Sequence, residues 1–370
     1  MKQQFTGIFG RVSALFLALL MVAGTLFAVI PALPLRVSAD TTASSGHAID
    51  FDENIMLSVF WPPTPAYIND EQYRLMADAG INWVLGAGEE TLATPANQKK
   101  MLELCKQVER YTGYSALGGF YILDEPYNPN GYVESYLNLK KAFPAGYMHL
   151  NFLPSGSYGT EERYQAQMND WCRLCAAGGY PVDYLIYDRY PFGLQAGSMD
   201  RNGFYANLRS VHDVALKNDV RTGTYIQTVR QSVAFRRPTA SEIRYEMYSA
   251  LAFGFKQLSF FTWFTPVNRN EDIKTINREI LTIGPILAKC DALEVYLNGT
   301  TWGQPGIPKD FFVQPGGKNQ KYTVSFLRHK ETGRNYLMLV NNNFGKRATV
   351  NLKLDPSITA LYEISRENGG

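Results

Sequence analysis

The chain has 370 residues, with 36 basic and 34 acidic side chains, 45% hydrophobic residues and 13% aromatic residues. That apolar content and near balance of charge exclude a disordered chain. They also leave no basic excess for a nucleic-acid backbone, so no nucleic-acid partner is expected. The length suits two domains, or one large domain with a small appendage.

Residues 1–39 read as a signal peptide. Lys2 and Arg11 flank the start of an apolar run from Val12 to Ile30, Pro31 and Pro34 break any helix, and Val37-Ser38-Ala39 is a small-residue cleavage pattern. The run approaches the length of a bilayer span, so an uncleaved anchor is the alternative. The segment has no cysteine, which argues against a lipoprotein anchor. Cleavage after Ala39 removes three cations (Lys2, Arg11, Arg36) and no acid, turning a formal charge of +2 into −1. The expectation is a protein secreted or periplasmic, with no stable membrane insertion once the segment is removed.

From residue 50 onward, short apolar runs alternate with amphipathic stretches. Ile55 to Trp61 is a strand closed by Pro62-Pro63, and Asn69 caps a helix that Gly80 ends. A strand over 81–85 and a helix over about 95–110 follow. Gly119 to Leu123 is a strand ending in Asp124-Glu125-Pro126. A helix near 132–143 leads to the strand 148–153, and Thr160 caps a helix stopped by Gly178-Gly179. The strand 183–187, a helix near 204–217 and the strand 222–227 come next. Thr239-Ala240-Ser241-Glu242 is a capping box opening a helix to about Phe253. The strand 257–263 and a helix over 272–288 complete the series.

This repetition means a parallel sheet covered by helices, an α/β chain of the (β/α)8-barrel type over residues 50–290. Seven strands are counted, so either a strand is misread or one β/α unit, expected between Arg110 and Gly119, is missing. Closure then requires either an unusual pairing of the strands ending at Leu85 and Leu123 or a gap between them. Residues 291–370 carry strand-like runs at 294–297, 322–327, 336–340, 348–352 and 360–364, joined by Gly/Asn/Lys-rich turns. They read as a small all-β, sandwich-like domain, with an incomplete last sheet as the alternative.

Four cysteines (Cys105, Cys172, Cys175, Cys290) and four histidines (His47, His149, His212, His329) offer no metal-ligand spacing. Cys172 and Cys175 read as thiols packed on a helix face, with an exported disulfide as the alternative. No metal and no cofactor is expected.

In barrels of this kind the ends of the strands hold the chemistry. Asp124 and Glu125 are adjacent acids ending a buried strand, where carboxylates are costly unless solvated or used. Strand alternation sends them to opposite sides, one to the barrel mouth and one to neighbouring loops; a solvated loop or a structural ion pair is the plainer alternative. Asp188 ends another strand within Tyr187-Asp188-Arg189-Tyr190, where aromatic flanks suit stacking on sugar rings, or packing in the core around a surface turn. Trp61, Tyr190 and Trp263 are candidates for binding a substrate, with core packing as the alternative. Glu242 and Glu246 read as structural.

Gly119–Pro126, with the closing Phe261-Thr262-Trp263-Phe264 run, resembles the β-galactosidase-type (clan A) barrel glycoside hydrolases across about residues 55–289. In that group an Asn-Glu-Pro ends the fourth strand and holds the general acid/base, and a Glu ending the seventh strand is the nucleophile. The resemblance implies that Glu125 is the acid/base, with Asp124 where Asn is usual. The penultimate strand here, Thr224-Tyr225-Ile226-Gln227-Thr228, offers Gln227 and no carboxylate. Asp188 is therefore the favoured second carboxylate, and Asp124 and Gln227 join the substrate-binding set. Burial is expected to raise the pKa of Glu125 and suit it to donate a proton. The implied function is hydrolysis of glycosidic bonds in an oligo- or polysaccharide. A non-catalytic carbohydrate-binding barrel is the alternative, and a truncated relative that folds poorly is a third reading.

Overall fold

The structure, a computed structural model, describes residues 50–60, 70–86, 116–142, 144, 146–230, 234–261, 271–316 and 320–369. The expected signal peptide, the helix at about 95–110, and the candidates Trp61 and Trp263 lie outside these residues.

Seven strands form one parallel sheet: β1 (Met56–Val59), β2 (Trp83–Gly86), β3 (Ala116–Asp124), β4 (Tyr147–Phe152), β5 (Tyr184–Tyr187), β6 (Arg221–Gln227) and β7 (Gln257–Phe261). Their order around the sheet is β1-β7-β6-β5-β4-β3-β2. Every residue of β1 and of β5 is buried, as expected of strands covered on both faces. The helices are α1 (Asp70–Asp78), α2 (Val133–Ala142), α3 (Glu161–Ala177), α4 (Arg201–Asn218), α5 (Ala240–Ala252) and α6 (Glu271–Ala288). Side chains fix their starts. Thr160 accepts from the Arg163 amide, Asp200 accepts from that of Gly203, and Thr239 and Glu242 complete a capping box.

Among the described residues the sheet has seven strands, and no gap opens between the second and third of them. β2 pairs directly with β3 from Trp83↔Ala116 to Gly86↔Phe120, with a register shift between Val84 and Leu85. The remaining seam, between β1 and β2, is bridged by Asn82. Asn82 donates its backbone N–H to the Leu57 carbonyl (3.2 Å). Its side chain accepts from the Leu57 amide (2.9 Å) and donates to the Ile55 carbonyl (3.0 Å). A carboxamide here does the work of a short ladder.

The β-domain follows α6 with no linker: β8 (Cys290–Asn298), β9 (Val313–Gly316), β10 (Tyr322–His329), β11 (Asn335–Asn341) and β12 (Asn351–Leu354). β11-β10-β8 is one antiparallel sheet, and β12-β9 is a second. Alternation divides β10 between two cores. Tyr322 and Val324 pack with Phe311 and Val313 under the small sheet, and the Thr323 hydroxyl meets that of Tyr205 on α4. Val295, Leu297, Leu327 and Val340 belong to the same apolar cluster as the barrel's helices. Arg209 and His212 of α4 donate to the carbonyls of Val295 and Ala292 on β8.

Two expectations need correction here. Residues 360–364 form no strand, and Leu361 and Tyr362 are exposed, because no strand among the described residues lies beside them. β9, not expected from the sequence, is present where Val313 turns into the second core.

Candidate active site

Inward-facing residues of four neighbouring strands stack in two layers. Tyr121 of β3 lies opposite His149 of β4, and Tyr184 of β5 and Tyr225 of β6 hydrogen-bond to the two nitrogens of that imidazole. The period of two then places Asn151 and Gln227 one step further along their strands, and Asp188 two steps beyond Tyr184, toward the carboxyl ends.

β3 reaches that layer by breaking the period. Tyr121 pairs with His149 and Leu123 with Leu150, so Ile122 is an extra residue in the ladder. This bulge puts Asp124, three residues beyond Tyr121, opposite Asn151 and on the same inward face. Asn151 Nδ2 donates to Asp124 Oδ1 at 2.8 Å. The next residue, Glu125, has φ of +45°, a left-handed conformation that a glutamate adopts only under constraint. Its amide is held by the Asn151 carbonyl at 2.9 Å. The adjacent acids therefore do not part to opposite sides, as alternation alone implies. Bulge and positive φ bring both to the mouth.

Asp188 meets them there. It is 9% exposed, and one of its carboxyl oxygens is buried without a partner. Its pKa is raised well above the ordinary carboxylate value, first by burial, then by the Glu125 charge and by a hydrogen bond with Glu125, with Asp124 adding further repulsion. Asp188 is therefore favoured in its protonated form. The Tyr190 hydroxyl donates to Asp188 and partly offsets the rise, and its ring packs 5.2 Å from that of Phe261. Arg189 turns away to pair with Asp200.

The structure thus gathers Asp124, Glu125, Asp188 and Tyr190. Gln227 is corrected to a structural role. Its carboxamide accepts from the Phe192 amide (2.9 Å) and donates to the carbonyls of Phe192 (3.1 Å) and Arg236 (2.8 Å), leaving nothing for a ligand. Glu242 is structural as expected, within its cap and paired with Arg236. Glu246 is fully enclosed, accepts from the Gln227 amide, and is pushed well above the ordinary carboxylate range by burial.

Four residues at the site were not singled out from the sequence. Asn151 was legible as a polar residue inside an apolar strand. Tyr121 required knowledge of the bulge. Tyr158 donates to the Pro126 carbonyl (3.3 Å), a contact made through a turn of irregular structure. Tyr127 is 79% exposed beside the site and carries no sequence signal beyond its neighbours. No group of three or more acidic, histidine or cysteine side chains among the described residues is arranged to hold a metal ion.

No protein-family model and no curated protein matches this chain. Among solved structures it is similar to a Bacteroides thetaiotaomicron protein assigned as an alpha-L-fucosidase, with 13% identity, 63% of this chain and 95% of that one covered, and a TM-score of 0.42. An alpha-galactosidase from Saccharomyces cerevisiae aligns at 9% identity over 78% of this chain and 74% of that one, with a TM-score of 0.40. A thiamine phosphate pyrophosphorylase from Pyrococcus furiosus aligns at 12% identity over 63% and 100%, with a TM-score of 0.33.

Proposed function

We propose that the chain is a glycoside hydrolase in which Glu125 protonates the leaving oxygen, Asp188 keeps that proton in the free protein, and Asp124 serves the anomeric carbon as base or nucleophile. Glycosidic cleavage requires a proton on the departing oxygen and a negative group or activated water at carbon. The observation that carries the reading is the meeting of Asp124, Glu125 and the buried Asp188 at the strand ends. Beside it stand three buried, unpartnered polar atoms: the Tyr121 hydroxyl, Asn151 Oδ1 and one Asp188 oxygen. A polyol supplies donors and acceptors for all three.

The roles follow from exposure. Asp188 is too enclosed to reach a leaving group. Its carboxyl is also under the direct influence of Glu125 on the same side of the mouth. It suits a proton store better than a nucleophile. Glu125 is half-buried and Asp124 exposed, so these are the acids a substrate can touch. Gln227, locked to backbone on the penultimate strand, favours the second reading, a barrel that binds carbohydrate without cleaving it. Export with loss of residues 1–39 belongs to the same proposal, and amino-terminal sequencing of secreted material beginning near Asp40 tests it.

Glu125→Gln separates the readings. Loss of general acid catalysis lowers turnover of natural glycosides by about 10²–10⁴-fold, while a dinitrophenyl glycoside, whose leaving group needs little protonation, loses much less. Asp124→Asn slows both substrates alike. Equal losses on both substrates for Glu125→Gln would move the acid role elsewhere. Binding with no turnover by the unmodified chain would establish the binding-only barrel.

A further inference from the structure

Two carboxamides face into the barrel near the strand ends, and they are used differently. Gln227 on β6 is committed to backbone through both its oxygen and its nitrogen. Asn151 on β4 is 2% exposed, and its nitrogen donates to Asp124 Oδ1 at 2.8 Å. Its own Oδ1 is buried and meets no donor. The carboxylate decides which end of the amide faces it. Reversal would set oxygen against oxygen with no hydrogen between them.

The same residue also acts through its main chain. Asp124 and Asn151 are opposite one another in the β3–β4 ladder, and the Asn151 carbonyl accepts from the Glu125 amide at 2.9 Å. Glu125 is the residue at positive φ, so this bond helps to hold the turn that brings its carboxyl to the mouth. Asp124 is thus fixed by the side chain of Asn151, and Glu125 by its backbone. Other titratable groups within electrostatic reach of Asp124 are Tyr121 on β3, Asp188 and Tyr190 after β5, and Tyr225 on β6. They bring no positive charge, which leaves the Asn151 N–H as a favourable contact for a carboxylate at this place.

We infer that Asn151 is a positioning residue for Asp124 and Glu125, and that its unpartnered Oδ1 is a specificity-determining acceptor for one hydroxyl of the ligand sugar. A buried carboxamide oxygen without a donor is poorly tolerated in a protein interior, and a ligand O–H entering the mouth satisfies it. The planar amide then couples its two ends. It holds a carboxylate at nitrogen and a sugar hydroxyl at oxygen, at a fixed spacing. A hydrogen or an ether at that sugar position leaves the oxygen unpaired, and sites built to bind a hydroxyl reject analogues that lack it. The role of Asp124 rests on the hydrolase reading; the acceptor does not.

The test uses the full chain with 4-nitrophenyl α- and β-hexopyranosides, and the monodeoxy analogues of whichever is cleaved. One analogue should lose about 10²-fold or more in kcat/KM. Asn151→Leu, similar in size but without either polar end, should reduce that ratio to within about three-fold. Asn151→Asp keeps an acceptor oxygen and should preserve it. Two carboxylates in contact cannot both ionise readily, so in Asn151→Asp the acid limb of kcat/KM against pH should move up by roughly one pH unit or more, with the alkaline limb unmoved. A profile lowered without movement of that limb would overturn the positioning role. Equal losses for every deoxy analogue, or a ratio unchanged in Asn151→Leu, would overturn the acceptor role. If no glycoside is cleaved, the hydrolase reading falls by itself. Calorimetry with the free hexoses and their monodeoxy forms then decides the acceptor by the same ratio, and a chain that binds none of them overturns the inference.

Discussion

Replacing Asn82 with alanine tests how the barrel is closed. The side chain makes two hydrogen bonds across the seam, to the Leu57 amide at 2.9 Å and the Ile55 carbonyl at 3.0 Å. Ile55 and Leu57 are each 0% exposed, so water cannot take over either group without opening the seam. Leaving one buried polar group unsatisfied costs about 1–3 kcal/mol. Two such groups give about 2–6 kcal/mol, a large part of the 5–15 kcal/mol typical of a whole domain. The backbone bond from Asn82 to the Leu57 carbonyl survives the substitution but satisfies neither of these groups. Equilibrium unfolding in urea, with the midpoint and slope compared between wild type and Asn82→Ala, measures the loss. Asn82→Asp is the control: it keeps the acceptor for the Leu57 amide but turns a carboxylate oxygen on the Ile55 carbonyl, and should be no more stable than the alanine variant. A loss under about 1 kcal/mol for Asn82→Ala would mean that the seam is held by something other than this residue.

Three further outcomes are expected. Burial and Glu125 raise the Asp188 pKa above its ordinary value of 3.8, so folding favours the protonated acid. Its contribution is fully present below the unfolded pKa and fades as pH rises toward the folded one. Thermal melting from pH 4 to 8 should therefore show wild type losing ground to Asp188→Asn, with the two similar near pH 4; parallel curves would refute this. Gln227→Glu, which restores the acid usual in the resembled family, should create no activity and should destabilise by about 2–4 kcal/mol, since donors to the Phe192 and Arg236 carbonyls vanish; a gain in turnover would contradict the structural role. Tyr127→Ala should weaken oligosaccharide binding in calorimetry by roughly 2- to 10-fold, the loss of one stacking ring, and unchanged affinity would place that ring outside the binding surface.

The strand series was legible because each strand is a run of apolar residues between capped helices, and Thr160, Thr239 and Glu242 announce the helix starts. Asp124, Glu125 and Asp188 were legible as acids at strand ends. Their relation to one another was not. Alternation assumes an unbroken ladder, and Ile122 breaks it without any glycine or proline to mark the place. The left-handed turn at Glu125 is equally silent, since nothing in a glutamate betrays it. Gln227 failed as a ligand candidate because a free carboxamide and one committed to a neighbouring loop have the same sequence. Asn82 went unnoticed for the converse reason: a polar residue between Ile81 and Trp83 reads as an outward position until its partner strand is known.

The conformation of Glu125 bears on how this chain can change over generations. A non-glycine residue held at positive φ gives up about 1–3 kcal/mol of stability, a cost that glycine or asparagine at the same place would largely relieve. Drift toward a more stable protein is therefore always on offer at this one codon, and taking it removes the carboxyl. A lineage that still cleaves its substrate must refuse that substitution repeatedly. One that has become a mere binder has no reason to. The residue at this place in related chains is thus a record of what each was selected to do.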